Sequence, residues 1–173
     1  VDGPAEEQLD IDPRLLEGFA LFREAGPGPD GPLDMDESKR VDQLRAMVLS
    51  GRIPPLTARG LVFDQVRKVA LSPSRTMLAI PGKAGLHVVV RDSDDGVSHG
   101  SGSKIAGRIQ GRPMMSIGPS LIGFAVDGVE HQAVEFRDGT IGQAEVRHNT
   151  YCIDDPSWAP HGSTAPVRRS ARS

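Results

Sequence analysis

Across residues 121–153, short runs of β-prone side chains alternate with Asp-Gly turns, as in Gly123-Phe-Ala-Val-Asp-Gly-Val129 and Phe136-Arg-Asp-Gly139. An Asp-Gly pair supplies the backbone freedom that a tight turn needs, so this spacing predicts a compact antiparallel β module. Within residues 133–136 a period of two directs Val134 and Phe136 to the core, with Ala133 and Glu135 on the other side. The stretch holds no recognisable set of catalytic or metal-binding residues.

Upstream, residues 76–80 and 86–91 read as two strands of a hairpin joined by Pro81-Gly-Lys-Ala-Gly85. Further strands are expected near residues 115–117, 121–126, 132–136, 143–147 and 151–153. Residues 92–111 are polar and rich in Gly and Ser, and read as a mobile loop. Helical spacing comes earlier. Asp12 and Pro13 suit the start of a helix over residues 13–25, whose stripe is Leu15, Phe19 and Phe22. Gly18 weakens it by about 1 kcal/mol relative to Ala, so it needs a surface to pack on. Gly26-Pro27-Gly28-Pro29 ends it. A second helix is expected over residues 37–49, capped by Asp36, ended by Gly51 and carrying Val41, Leu44 and Val48. Pro54-Pro55 breaks the chain, and residues 56–69 read as a crossover.

These elements predict an α+β fold: N-terminal helices followed by a small, mostly antiparallel β sandwich or open barrel. The expected division is an acidic arm, helical region and crossover over 1–69, a β domain over 70–155 and a flexible basic tail over 156–173. With 173 residues the chain suits one domain with extensions. The net charge of -3 conceals a segregation, because residues 1–37 carry 11 of the 23 acidic side chains and only 2 of the 20 basic ones. The two regions are suited to attract each other within one molecule or between neighbours. No apolar run approaches the roughly 20 residues of a membrane-spanning helix. A leader or anchor ahead of Val1 is compatible with the sequence.

Several constellations invite a chemical reading. Asp92, Asp94 and Asp95 suggest a calcium loop, but the glycine and the distal Glu of a helix-loop-helix site are not at the required positions. An Asp-rich hairpin turn is the simpler reading. Cys152, the single cysteine, excludes an internal disulfide and offers a nucleophile that His131 or His148 would have to activate. A small buried hydrophobe is the simpler role for it. Gly100-Ser-Gly-Ser-Lys104 lacks the Gly-Lys-Ser/Thr ending of a phosphate loop. Arg168 and Arg169, with Arg172, form a basic tail without interleaved aromatics, which argues against nucleic acid and leaves a membrane surface or the acidic arm as its partner.

The segments Gly123-Phe-Ala-Val-Asp-Gly-Val129, Val134-Glu-Phe-Arg-Asp-Gly139 and Val146-Arg-His-Asn-Thr-Tyr151 resemble an uncharacterised family of small, β-rich, secreted or membrane-anchored actinobacterial proteins. That family shares a G-x-x-P-D-G-V, L-x-D-G, V-x-x-N-x-Y pattern near its C-terminal end. Val126 stands where the family has proline, and His87 where it often has a cysteine. The resemblance implies a secreted or membrane-associated protein; the missing disulfide leaves a cytoplasmic location open. It transfers no catalytic role. Tyr151 is expected as a half-buried ring whose hydroxyl bonds a turn, and Asn149 as the residue that holds that turn.

The expected function is a non-enzymatic protein-interaction or structural module, associated with the cell envelope or a larger assembly and using no cofactor. Its partner would be another protein or a second copy of the chain. The residues expected to face that partner are Leu15, Phe19, Phe22, Arg168 and Arg169. The alternatives are a hydrolase-like enzyme using Cys152 or a serine with a histidine, and a calcium-dependent β module using Asp92, Asp94 and Asp95.

Overall fold

A computed structural model describes residues 10–24, 26–52, 60–94, 96, 98–103 and 113–155. The fold is α+β, as the sequence predicts. Asp12 accepts a hydrogen bond from the Arg14 amide at 3.0 Å and opens helix α1 (Pro13–Gly18). The expected single helix then breaks. Phe19 is extended, and a separate turn, α2 (Ala20–Arg23), follows. The break lets Leu15, Phe19, Leu21 and Phe22 all enter the core, which a single helical stripe would not allow.

Helix α3 (Met35–Leu49) starts two residues before its expected position. Its cap is Asp34, because Asp34 and Glu37 form a reciprocal capping box, each side chain accepting the other's amide at 2.8 Å. Gly51 ends it at φ 71°, as expected.

A single turn of 3-10 helix (Phe63–Gln65) leads into β1 (Arg67–Ala70), within the expected crossover. β2 (Arg75–Gly82) and β3 (Gly85–Asp92) form the predicted hairpin, with Arg75 opposite Asp92 and Gly82 opposite Gly85. β4 (Ser98–Ser103) follows on β3 where a mobile loop is expected. Its Ser/Gly sequence has no apolar alternation, and it is held by backbone pairing, which leaves no side-chain signature. These strands form one sheet in the order β1-β2-β3-β4.

The second half adds β5 (Pro113–Ile117), β6 (Ser120–Phe124), β7 (His131–Glu135), β8 (Ile141–Glu145) and β9 (Thr150–Asp154). They form a β5-β6-β9 sheet and a β7-β8 hairpin, all pairs antiparallel.

The elements stack in layers. Met77, Ala79, Val88 and Val90 face α1, α2 and the buried Ile122 and Phe124 of the second sheet, so two sheets meet across the main core in a sandwich. Leu78, Ile80 and Val89, one residue out of phase, face Val41 and Leu44 of α3. β2 and β3 are therefore buried on both faces, which explains their nearly continuous apolar runs. Val134, Phe136 and Ala144 pack the β7-β8 hairpin onto Tyr151, Leu121 and Ile153, on the outer face of the second sheet. Val134 and Phe136 are buried as expected. The helices and strands share their cores, and a boundary at residue 70 would cut β1.

Among the described residues, ion pairs tie acidic side chains of the N-terminal region to basic side chains of the first sheet and its β2-β3 turn. Lys83 pairs with Asp10 at 3.1 Å, Lys68 with Glu37 at 2.9 Å, and Arg91 with Asp36 at 3.1 Å and Asp34 at 3.4 Å. Among the described residues no helix is long and apolar enough to cross a membrane.

Candidate functional site

The residues that carry the apparent sequence pattern form a clamp. The turn holding Asp127 and the turn holding Asn149 converge on the start of α2, whose first amides have no partner from their own helix. Asp127 accepts the Ala20 amide at 2.7 Å, and the Asn149 Oδ1 accepts the Leu21 amide at 3.0 Å. The Asn149 Nδ2 donates to Asp127 at 2.8 Å and to the Ala125 carbonyl at 3.1 Å, while the Arg23 guanidinium also pairs with Asp127. Burial opposes ionisation of Asp127, but the bonds from Arg23, Asn149 and the Ala20 amide outweigh it and hold the carboxyl below the usual aspartate range. At the other end of α2 the buried Arg67 donates to the Leu21 carbonyl at 3.0 Å and the Glu24 carbonyl at 2.8 Å. Asn149 sits in its turn at φ 63°, but its side chain reaches out of the turn and holds a helix 128 residues away in sequence.

Leu15, Phe19 and Phe22 are at most 2% exposed, in the main core. This overturns their expected role as a partner-facing stripe: the β sheets occupy the face that a partner would need. Tyr151 also departs from expectation. It is fully buried across Gly123, where the ring would meet any added Cβ, and among the described residues its hydroxyl has no hydrogen-bond partner. Burial pushes its pKa up to about 12. Arg168, Arg169 and Asp95 lie outside the described residues, as does residue 104 of the Gly/Ser segment.

A second polar cluster lies where the two large sheets meet, and three of its members carry no local sequence signal. Arg75 and Asp92 are cross-strand partners at the ends of β2 and β3; Ser120 and Asp154 are cross-strand partners at the ends of β6 and β9. Arg75 Nε donates to Asp92 Oδ2 at 3.0 Å, and its other arm donates to the Ser120 hydroxyl. Ser120 in turn donates to Asp154 Oδ1 at 2.5 Å. Separated pairs of residues meet here only through sheet stacking, which no local motif encodes.

Two openings flank this cluster. One, of about 430 Å³, lies among Leu71, Ser72, Glu145, Arg147 and Cys152. The other, of about 400 Å³, lies among Ser72, Arg75, Asp94, Ser120, Cys152 and Asp154. Among the described residues neither is lined by a histidine: His131 is exposed at the start of β7 and His148 is exposed in the turn before β9. The structure thus does not bring Cys152 to the histidines that would activate it. Burial first, and Asp154 second, raise the Cys152 pKa against the opposing pull of Arg75, which disfavours the thiolate. Ser120 is buried and its hydroxyl is engaged on both sides.

The calcium reading meets a similar obstacle. Asp92 gives one oxygen to Arg75 and the other to the Asp94 amide at 3.0 Å, the geometry of an Asp turn. Among the described residues no group of three His, Cys, Asp or Glu side chains is placed to hold a metal ion. No protein-family model, curated protein or solved structure matches the chain.

Proposed function

We propose that this chain is a non-enzymatic protein-interaction module. One observation carries the reading: the groups best suited to chemistry are spent on one another. Arg75, Asp92, Ser120 and Asp154 form a continuous hydrogen-bonded chain between two sheets. The adjacent thiol has a raised pKa, and among the described residues no histidine lines either opening beside it. Such a network stabilises a seam, whereas a nucleophile needs an accessible atom and a base. The ligand class is a protein partner or a second copy of the chain. A location at the cell envelope belongs to the same proposal and rests on the resemblance read from the sequence of residues 123–151.

The test combines cross-linking of the full chain in its native cells with a thiol probe at neutral pH. One recurring cross-linked partner, with Cys152 labelled slowly until the protein unfolds, is the expected result. Rapid labelling of the folded protein, together with ester or amide hydrolysis abolished by Cys152→Ser, would overturn it.

A further inference from the structure

We infer that the outer edge of β9 is a docking strand for an extended peptide segment of a partner that carries Lys or Arg side chains. This deepens the interaction-module reading and rests on it. The Ala125 amide bonds the Asn149 carbonyl at 2.9 Å, and the Asp155 amide bonds the Pro119 carbonyl at 2.7 Å. With the β6-β9 register, these bonds set the phase of the ladder: Tyr151 and Ile153 exchange bonds with β6, and Thr150, Cys152 and Asp154 direct their N–H and C=O groups away from it. Arg147 uses both outward groups of Thr150, each at 2.8 Å. Those of Cys152 and Asp154 have no backbone partner among the described residues.

β8 would ordinarily fill this place. The turn at His148 and Asn149, with φ of 49° and 63°, has the two left-handed residues of a tight hairpin turn. Beyond the Arg147–Thr150 bridge, however, β8 leaves β9 and pairs with β7, beginning with the Val146 amide on the Glu130 carbonyl at 2.8 Å. The opening of about 430 Å³ lies in this divergence and shares Leu71, Ser72 and Cys152 with the second, so the two line one stretch of the open edge.

The opposite treatment of β1 sharpens the point. Its outer amides at Lys68 and Ala70 are taken by the Pro27 carbonyl at 2.7 Å and the Asp30 carboxylate at 2.8 Å. Gly28 lies against Lys68 so closely that an added Cβ would be 2.7 Å from its backbone. Among the described residues the outer edge of β1 is covered, whereas that of β9 beyond Thr150 is not.

Charge selects the occupant. Arg75 is bound to Asp92 at 3.0 Å and Arg147 to Glu145 at 3.2 Å, whereas among the described residues no ion pair engages Asp94 or Asp154. Backbone pairing would supply the attachment and these two carboxylates the preference for a cationic strand.

Amide hydrogen exchange of the full chain tests this without knowledge of the natural partner. In the free protein the Cys152 and Asp154 amides should exchange much faster than those of Tyr151 and Ile153. A short capped peptide of alternating threonine and arginine should slow the Cys152 and Asp154 amides by about tenfold at saturation. Its glutamate counterpart, and an arginine version with a methylated backbone, should not. Asp94→Lys, an exposed change, should weaken binding roughly fivefold and leave the fold intact. The edge assignment is overturned if the two amides are already protected in the free protein, if the arginine peptide does not protect them, or if backbone methylation makes no difference. A recurring cross-linked partner that leaves these amides unprotected would overturn the edge and retain the module. Hydrolysis dependent on Cys152 would overturn the module itself.

Discussion

The two helical regions of this protein are built on opposite plans. Helix α3 carries its own instructions: a capping box at Asp34 and Glu37, a spaced apolar face at Val41 and Leu44, and a glycine stop at Gly51. It lies on the outer face of the first sheet. The α1-α2 segment is shorter, broken at Phe19, and deeper, and its second turn borrows its caps from Asp127, Asn149 and Arg67. The lesson is that depth of burial and local helical strength need not coincide. A long self-capped helix can be peripheral, while two short turns hold the centre because distant loops satisfy their backbone groups.

This contrast can be broken most severely at Phe22. Phe22→Ala should destabilise the whole domain by about 3–5 kcal/mol, since the ring is fully buried between both sheets. Chemical denaturation followed by circular dichroism would measure it. A loss confined to helical signal, with the strands unaffected, would show that α1-α2 is an appendage after all.

The clamp comes next. Asn149→Gly preserves the left-handed backbone but removes three side-chain hydrogen bonds, and should cost about 1–3 kcal/mol. Asp127 gives the same clamp a pH dependence. Its native pKa is lowered from the ordinary aspartate value, so its stabilisation is complete above the unfolded value and is lost as the pH falls through the native one. The stability difference between wild type and Asp127→Asn should therefore narrow in acid. A difference that stays constant to low pH would remove the carboxylate from the clamp.

On α3 the effects should be smaller. Asp34→Ala should cost about 1 kcal/mol, visible as a lower denaturation midpoint with unchanged slope. Asp34 has a lowered pKa, chiefly from the Glu37 amide, so this contribution also fades in acid. Smallest of all, Leu49→Lys at the exposed end of α3 should change stability by no more than about 0.5 kcal/mol. A larger loss in a concentration-dependent melt would reveal that this helix end packs against another molecule.

Legibility followed the range of the interactions. The β2-β3 hairpin, the inward Val134 and Phe136, and the Gly51 stop were readable because period and turn chemistry act within a few residues. β4 was not, since backbone pairing of Ser and Gly leaves no pattern. The stripe of Leu15, Phe19 and Phe22 was readable as apolar but not as core: periodicity shows that a face must be buried without showing what covers it. At the site, Cys152 and the Asp92–Asp94 turn stood out by residue type. Arg75, Ser120 and Asp154 did not, because ordinary polar residues acquire meaning only when sheet ends meet.

Local sequence settled the antiparallel β character, the turns and the stop of the longer helix, because each depends on side chains within one turn or one hairpin. Tertiary structure alone decided that Asn149 caps a helix 128 residues earlier, that β8 parts from β9, and that Arg75 reaches Ser120. Those outcomes depend on how buried layers satisfy each other's polar groups, and that balance is set only after the layers have packed.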